Sequence, residues 1–393
     1  MTYHRRVLLL TSKTGGGHVS LAEALRDRLE PSFHCAIIDP QPSIVHTHYR
    51  LVSRYALRLW QMEYRLADRP HRALAAHRLF ARLMGRPMRH LLAREKPDLI
   101  VSTYSFFTAA MLNAIRAIGR PTATALLLSD PQNVHATWLA IKDVDCILAP
   151  TRETATQALN AGFTPHQVHL SGWPVRSQFH MPDNDMPDNN TLDRRAGLQE
   201  LGLNPDRFTV FLQGGGEGTA HFRRTVEAVL AAGNSGATPN GRPVPQPRGV
   251  QIILAVGTNE ILRARYAQRP NIYTLPFTKE IARYMALADV VMGKAGPNML
   301  FETVTLGKPF IATTYIPGQE TPNLDFIRRH QLGWVALEPR EQTTLIRALI
   351  QDSALLQAQM HSVDLYRRWN LSRLDTVLPQ AQALVGKLAV GIR

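Results

Sequence analysis

Cysteine is nearly absent: Cys35 and Cys146 are the only two in 393 residues. So few, so far apart, they exclude a disulfide framework, a cysteine-rich zinc cluster and a CxxC redox pair, and are expected to be packed thiols. Long apolar runs are missing too. The longest, such as Val7 to Leu10 and Ala123 to Leu128, are strand-sized, against the ~18 residues of a membrane span. The opening MTYHRR leads into only four strongly apolar residues, too few for the core of a signal peptide, so a cytoplasmic protein is expected. Acidic residues are scarce beside basic ones, 31 against 45, which leaves a net charge of +14. That excess calls for an anionic partner such as nucleic acid, a membrane surface or a phosphate-bearing substrate. An apolar content of 45% rules out a largely disordered chain. At ~150 residues per domain the length fits two.

What is present is a repeated grammar. Residues 7–29 read as a strand (VLLL), a loop (TSKTGGG) and a helix with Leu21, Ala22, Leu25 and Leu29 at helical spacing. The order returns near residue 208, with a strand Phe208 to Leu212, a glycine-rich turn Gly214 to Gly218 and a helix Ala220 to Ala232. Each start is followed by short β-rich runs alternating with helical stretches. In the first half these are Leu99 to Ser102, Ala123 to Leu128, Cys146 to Ala149 and Val168 to Leu170. In the second they are Val250 to Val256, Ile272 to Leu275, Val290 to Met292 and Pro309 to Thr313. The rhythm is that of parallel sheets covered by helices, an α/β class. The expected boundaries are 1–178, a solvated linker at 179–204 containing HMPDNDMPDNN, a second domain at 205–364, and a C-terminal helical tail at 365–393. Residues 233–249 read as a surface loop inside the second domain.

Six motifs occur in order: TGGGH (Thr14 to His18), HATW (His135 to Trp138), SGWPVR (Ser171 to Arg176), QGGGEG (Gln213 to Gly218), KAGP (Lys294 to Pro297) and PGQE (Pro317 to Glu320). Together they resemble glycosyltransferase family 28, on the side of the monogalactosyldiacylglycerol synthases and processive diacylglycerol glucosyltransferases. The resemblance runs from Val7 to Val335, and PGQE is its most specific part. It implies a GT-B fold of two facing Rossmann-like domains, the donor nucleotide mainly on the second and the acceptor mainly on the first. A C-terminal helix would cross back to the first domain. Two positions depart from the pattern: Gly257, Thr258 and Asn259 lack the arginine of the usual Gly-Arg-Asn turn, and Pro276 replaces the glycine before Phe277, the expected uracil reader.

Glycosyl transfer needs a base for the acceptor hydroxyl, charge stabilisation for the departing diphosphate, and grips on sugar and nucleoside. His18, after three glycines at a helix start, is the candidate base, because the positive helix end favours neutral imidazole. The alternative is that it only caps the helix or binds phosphate. Gly17 beside it, with Gly214, Gly215, Gly216 and Gly296, can bring main-chain amides to phosphate oxygens where no Cβ intervenes. Glu302, five residues beyond Pro297, is assigned by the resemblance to the ribose hydroxyls, and Gln319 and Glu320 are read as donor-sugar grips. His135 and Trp138 are expected to line an acceptor cleft; a satisfied histidine and a packed tryptophan are the alternative. No metal or cofactor is expected, the UDP-sugar being a substrate. The DxD pairs Asp143/Asp145 and Asp183/Asp185 read as structural or solvated.

The charge excess is local. Residues 46–96 hold 12 basic and 3 acidic side chains, +9 of the +14. Arg50, Arg54, Arg58 and Arg65 share one helical face, with Trp60 interleaved. Such a cluster suits anionic lipid headgroups, and no nucleic-acid module accompanies it. The expectation is an inverting transfer of galactose or glucose from a UDP-sugar to diacylglycerol, by an enzyme held peripherally at the inner face of the cell membrane. Its rivals are a peptidoglycan-type UDP-N-acetylglucosamine transferase, a nucleotide-sugar 2-epimerase, and a non-catalytic membrane or nucleic-acid binding protein on the same scaffold.

Overall fold

The computed structural model describes residues 5–13, 16–42, 68–180, 192–213, 222–233 and 249–389. Of the sequence-based expectations, the glycine run Gly214 to Gly216, the docking residues Arg50, Arg54, Arg58, Trp60 and Arg65, and the Asp183/Asp185 pair lie outside the described residues. The chain divides into two compact units, one of residues 1–177 with 369–393, the other of residues 178–368.

The first unit holds β1 (Arg6–Leu10), α1 (Gly16–Leu29), β2 (His34–Ile38), α2 (Pro70–Glu95), β3 (Leu99–Ser102), α3 (Phe107–Ile118), β4 (Ala123–Leu127), α4 (Ala136–Leu139), β5 (Cys146–Ala149), α5 (Arg152–Asn160) and β6 (Val168–Leu170). Its sheet order is β2-β1-β3-β4-β5-β6 with every pairing parallel. Parallel strands covered on both faces need apolar residues on both faces. Accordingly β3 and β4 are buried throughout and β1 at four of its five residues. In α1 the buried residues Leu21, Ala22, Ala24, Leu25 and Leu29 form the stripe that packs on the sheet.

The second unit holds α6 (Leu192–Glu200), β7 (Phe208–Gln213), α7 (Phe222–Ala232), β8 (Val250–Gly257), α8 (Glu260–Tyr266), β9 (Ile272–Pro276), α9 (Ile281–Ala286), β10 (Val290–Lys294), α10 (Pro297–Thr305), β11 (Phe310–Thr314), α11 (Thr321–Arg329), β12 (Gly333–Val335) and α12 (Pro339–Gln351). These strands order as β12-β11-β10-β7-β8-β9, again all parallel. Helix α13 (Ser353–Leu374) follows, and α14 (Val377–Ala389) ends the described chain.

Two strands, β2 and β12, were not expected, and each sits at the end of its sheet. Part of the expected linker is also corrected. Residues 192–200 are helical, and Arg194, only 3% exposed, sends its guanidinium to Asp289 Oδ2 at 3.0 Å and Leu287 O at 3.1 Å. With Leu198 fully buried, this stretch is part of the second unit rather than a solvated tether.

From Trp369 onward the tail belongs to the first unit, where α14 packs on α1, β3 and β4. The SGWPVR motif supplies its seat. Trp173 N donates to Asn370 Oδ1 at 2.7 Å, and Asn370 Nδ2 donates back to Trp173 O at 3.1 Å. Gly172 has φ +70°, and a Cβ there would stand 2.6 Å from Asn370 O. That motif glycine is therefore demanded by both conformation and close approach. Among the described residues, no helix is long and apolar enough to cross a membrane.

Candidate active site

In a doubly wound sheet, ligands bind outside the carboxyl ends of the strands, where the chain's direction of travel across the sheet reverses. In the second unit that point lies between β7 and β10. Strand β7 ends at Gln213, immediately before the glycine run, and β10 ends at Lys294, which leads through Ala295 and Gly296 into α10. Gly296 occupies the cap position with φ −74° and ψ 137° and provides no side-chain cap. Pro297 at the first helical position presets the helical φ. A helix start with a bare glycine at its cap position is suited to an anion.

The loop is anchored from β11 and α11. Glu320 is 4% exposed; its Oε1 pairs with Lys294 Nζ, and its Oε2 accepts from Ile316 N at 2.7 Å. Asn323 Nδ2 donates to Ala295 O at 2.8 Å. Both Glu320 oxygens thus hold the loops of β10 and β11, with acceptor capacity remaining on each. Gln319 beside it is half-buried. Lys294 was not singled out from sequence, although a lysine closing a strand in front of Ala-Gly-Pro is a usable signal. It puts a cation beside the α10 N-terminus, while Asn259, in the turn that lacks arginine, caps α8 by accepting from Leu262 N at 3.0 Å.

Glu302 is half-buried in the second turn of α10. Phe277, beyond β9 on the same carboxyl edge, is 71% exposed, and its N–H is fixed to Gly257 O at 3.1 Å. An aromatic face is thus open to a ring.

In the first unit the reversal lies between β1 and β3, and His18 stands there in the first turn of α1 with the exposed Gly17 before it. Thr103, directly after β3, places its Oγ1 3.1 Å from His18 O and 3.3 Å from Leu10 O, binding the start of α1 to both strands. The Tyr104 ring meets the imidazole edge-on at 5.3 Å between centroids. Burial holds the His18 pKa down, from 6.5 to about 4, against the opposing effect of a hydrogen bond to the Thr103 backbone. Its Nδ1 is covered and has no hydrogen-bond partner among the described residues. A neutral imidazole with an uncommitted ring nitrogen can accept a proton.

His135 and Trp138 do not line an acceptor cleft. His135 is 6% exposed and caps the short α4, its Nδ1 lying 2.8 Å from Thr137 Oγ1 and accepting from Thr137 N at 3.3 Å. Trp138 is 4% exposed in the core cluster with Met88, Val134 and Val144. Aspartates 143 and 145 are structural: Asp143 pairs with Arg116 at 2.7 Å, and Asp145 accepts from Thr124 N at 2.8 Å.

Known proteins share this architecture. The structure of the Anabaena protein HepE in complex with UDP and glucose aligns over 98% of this chain and all of its own, with TM-score 0.53 and 15% identity. Two doubly wound parallel sheets with this strand order define the GT-B fold. The family model for monogalactosyldiacylglycerol synthase matches residues 35–175, and that for the glycosyltransferase family 28 C-terminal domain matches residues 209–355. The chain belongs to glycosyltransferase family 28. A rice protein named "Probable monogalactosyldiacylglycerol synthase 2, chloroplastic" is 26% identical over 400 residues, covering 96% of this chain and 78% of its own. The spinach monogalactosyldiacylglycerol synthase is 27% identical over 361 residues, covering 86% of this chain and 64% of its own.

The His18 geometry has a thermodynamic signature. With its pKa at about 4 in the folded chain and near 6.5 unfolded, the unfolded state binds more protons between these values. The stability contribution is complete above pH 6.5 and is lost as pH falls towards about 4. Urea unfolding across that window is expected to show a steeper acid loss in the wild type than in His18→Asn. Equal slopes would mean that His18 is not held neutral by the fold.

Proposed function

We propose that this enzyme transfers a hexose, galactose or glucose, from a UDP-sugar to the free hydroxyl of diacylglycerol with inversion, making a glycolipid at an anionic membrane surface. The observation that carries the reading is His18: a neutral imidazole at the strand reversal of the first unit, with Nδ1 uncommitted. In the step we envisage, the His18 imidazole takes the hydroxyl proton as the oxygen attacks the anomeric carbon and the bond to the diphosphate breaks. The departing charge is met by the α10 N-terminus, the glycine run after β7 and the Lys294 ammonium. Glu302 accepts from the ribose hydroxyls, Phe277 stacks on uracil, and Gln319 reads the sugar. The synthase family match over residues 35–175 favours an acylglycerol acceptor, and the UDP in the HepE complex favours that donor nucleotide.

Helix α2 supports the membrane part. Its solvent face carries Arg72, Arg78, Arg82, Arg86 and Arg89, all exposed, around Leu79 and Leu83, which are 61% and 68% exposed. Arg72, Leu79, Leu83 and Arg86 fall within about 60° of each other on the wheel. Cations flanking protruding leucines suit headgroups above and acyl chains below.

The direct test supplies labelled UDP-galactose, UDP-glucose or UDP-N-acetylglucosamine with diacylglycerol vesicles and identifies the lipid product. Galactosyl- or glucosyl-diacylglycerol is expected, and His18→Ala is expected to lower turnover 10²- to 10⁴-fold with UDP affinity unchanged, about the worth of a positioned base. Transfer from UDP-N-acetylglucosamine alone, or near-normal turnover in the variant, would overturn the reading. For the membrane contact, replacing Leu79 and Leu83 by Gln is expected to weaken co-sedimentation with anionic vesicles by about tenfold. Activity on a short-chain soluble diacylglycerol should survive. Undiminished vesicle binding would show that α2 does not dock.

A further inference from the structure

On the sheet edge that carries His18, the β1–α1 loop and the exit of β2 are joined by a small polar assembly that the proposed reaction leaves unused. Asp39, directly after β2, accepts from Lys13 N at 2.7 Å and from Gln41 N at 2.9 Å. Gln41 lies between Pro40 and Pro42, and a residue before proline is restricted to extended backbone. Its Oε1 accepts from Ser12 Oγ at 2.8 Å, which orients the amide. The Nε2 group, with two N–H donors, is covered and has no acceptor among the described residues, and Gln41 as a whole is 8% exposed. A covered donor with nothing to donate to opposes folding. Placed outside the carboxyl ends of β1 and β2, on the edge that carries His18, it is a group awaiting a ligand.

The geometry points to Gln41 as the residue that orients the lipid acceptor, its Nε2 donating to an acyl ester carbonyl while the acceptor's free hydroxyl is presented to His18. This rests on the acylglycerol reading above. The chemistry favours the carbonyl, because the Asp39 carboxylate, which accepts from Gln41 N at 2.9 Å, disfavours an anionic phosphate beside this amide and a neutral oxygen meets no such repulsion. Diacylglycerol carries two such carbonyls within a few bonds of its hydroxyl, so one molecule can satisfy amide and imidazole together.

The test compares ester-linked 1,2-diacylglycerol with ether-linked 1,2-dialkylglycerol of the same chain length in the same vesicles, for the wild type and for Gln41→Met, which keeps the length but has no donor. The wild type is expected to show a KM about five- to tenfold lower for the ester, the worth of one neutral hydrogen bond. In Gln41→Met the two KM values converge, the KM for the UDP-sugar stays as in wild type, and the thermal midpoint is retained. A wild type indifferent to ester and ether overturns the assignment without any variant. A folded Gln41→Met that keeps the full ester preference overturns it as well. Transfer by the wild type to neither lipid overturns the acylglycerol reading, and this assignment with it.

Discussion

Both units depend on one constraint: every strand in each sheet runs the same way. Parallel strands cannot be joined by tight turns, so each crossover returns through a helix, and those helices begin on the edge where the strands end. That edge collects helix N-termini, with their unmatched amides and positive dipole ends. Where the direction of travel reverses, between β1 and β3 and between β7 and β10, neighbouring crossovers lie on opposite faces and leave a crevice. His18 stands at the first reversal, and Lys294, Gly296 and Glu302 stand at the second.

Electrostatics sets the two crevices apart. In the first unit, burial against Thr103 and Tyr104 keeps His18 neutral, adding to the effect of the helix end. The second crevice faces the N-terminus of α10, where Lys294 is paired with the buried Glu320 while Asn323 pins the intervening carbonyl of Ala295.

The fold was legible wherever burial on both faces forces an unbroken apolar run. That is why β1, β3, β4, β7 and β8 stand out, whereas β2, which opens with the exposed His34, and the three-residue β12, which opens with Gly333, do not. Residues 192–200 read as linker because LDRRAGLQE is polar. The missing information was the aspartate ninety-five positions further along, Asp289, against which Arg194 is buried. At the two strand reversals, motif membership singled out His18, Gly296 and Glu302 but could not separate candidate ligand contacts from scaffold. Trp138 is a core residue and Glu320 a loop anchor, since one packs among distant apolar residues and the other finds a lysine on another strand. Gln41 carries no pattern at all. What singles it out is a covered donor group without an acceptor among the described residues, which only three-dimensional packing reveals.

The central claim is that the β10–α10 corner of the second unit is the nucleotide site, with Glu302 on the ribose. Calorimetric titration of UDP into the wild type and Glu302→Ala tests this most directly. Loss of a charged acceptor for the ribose hydroxyls should weaken UDP binding by ~1–3 kcal/mol, about five- to 150-fold in Kd. An unchanged Kd in a normally folded Glu302→Ala protein would contradict it, and would place the nucleotide elsewhere.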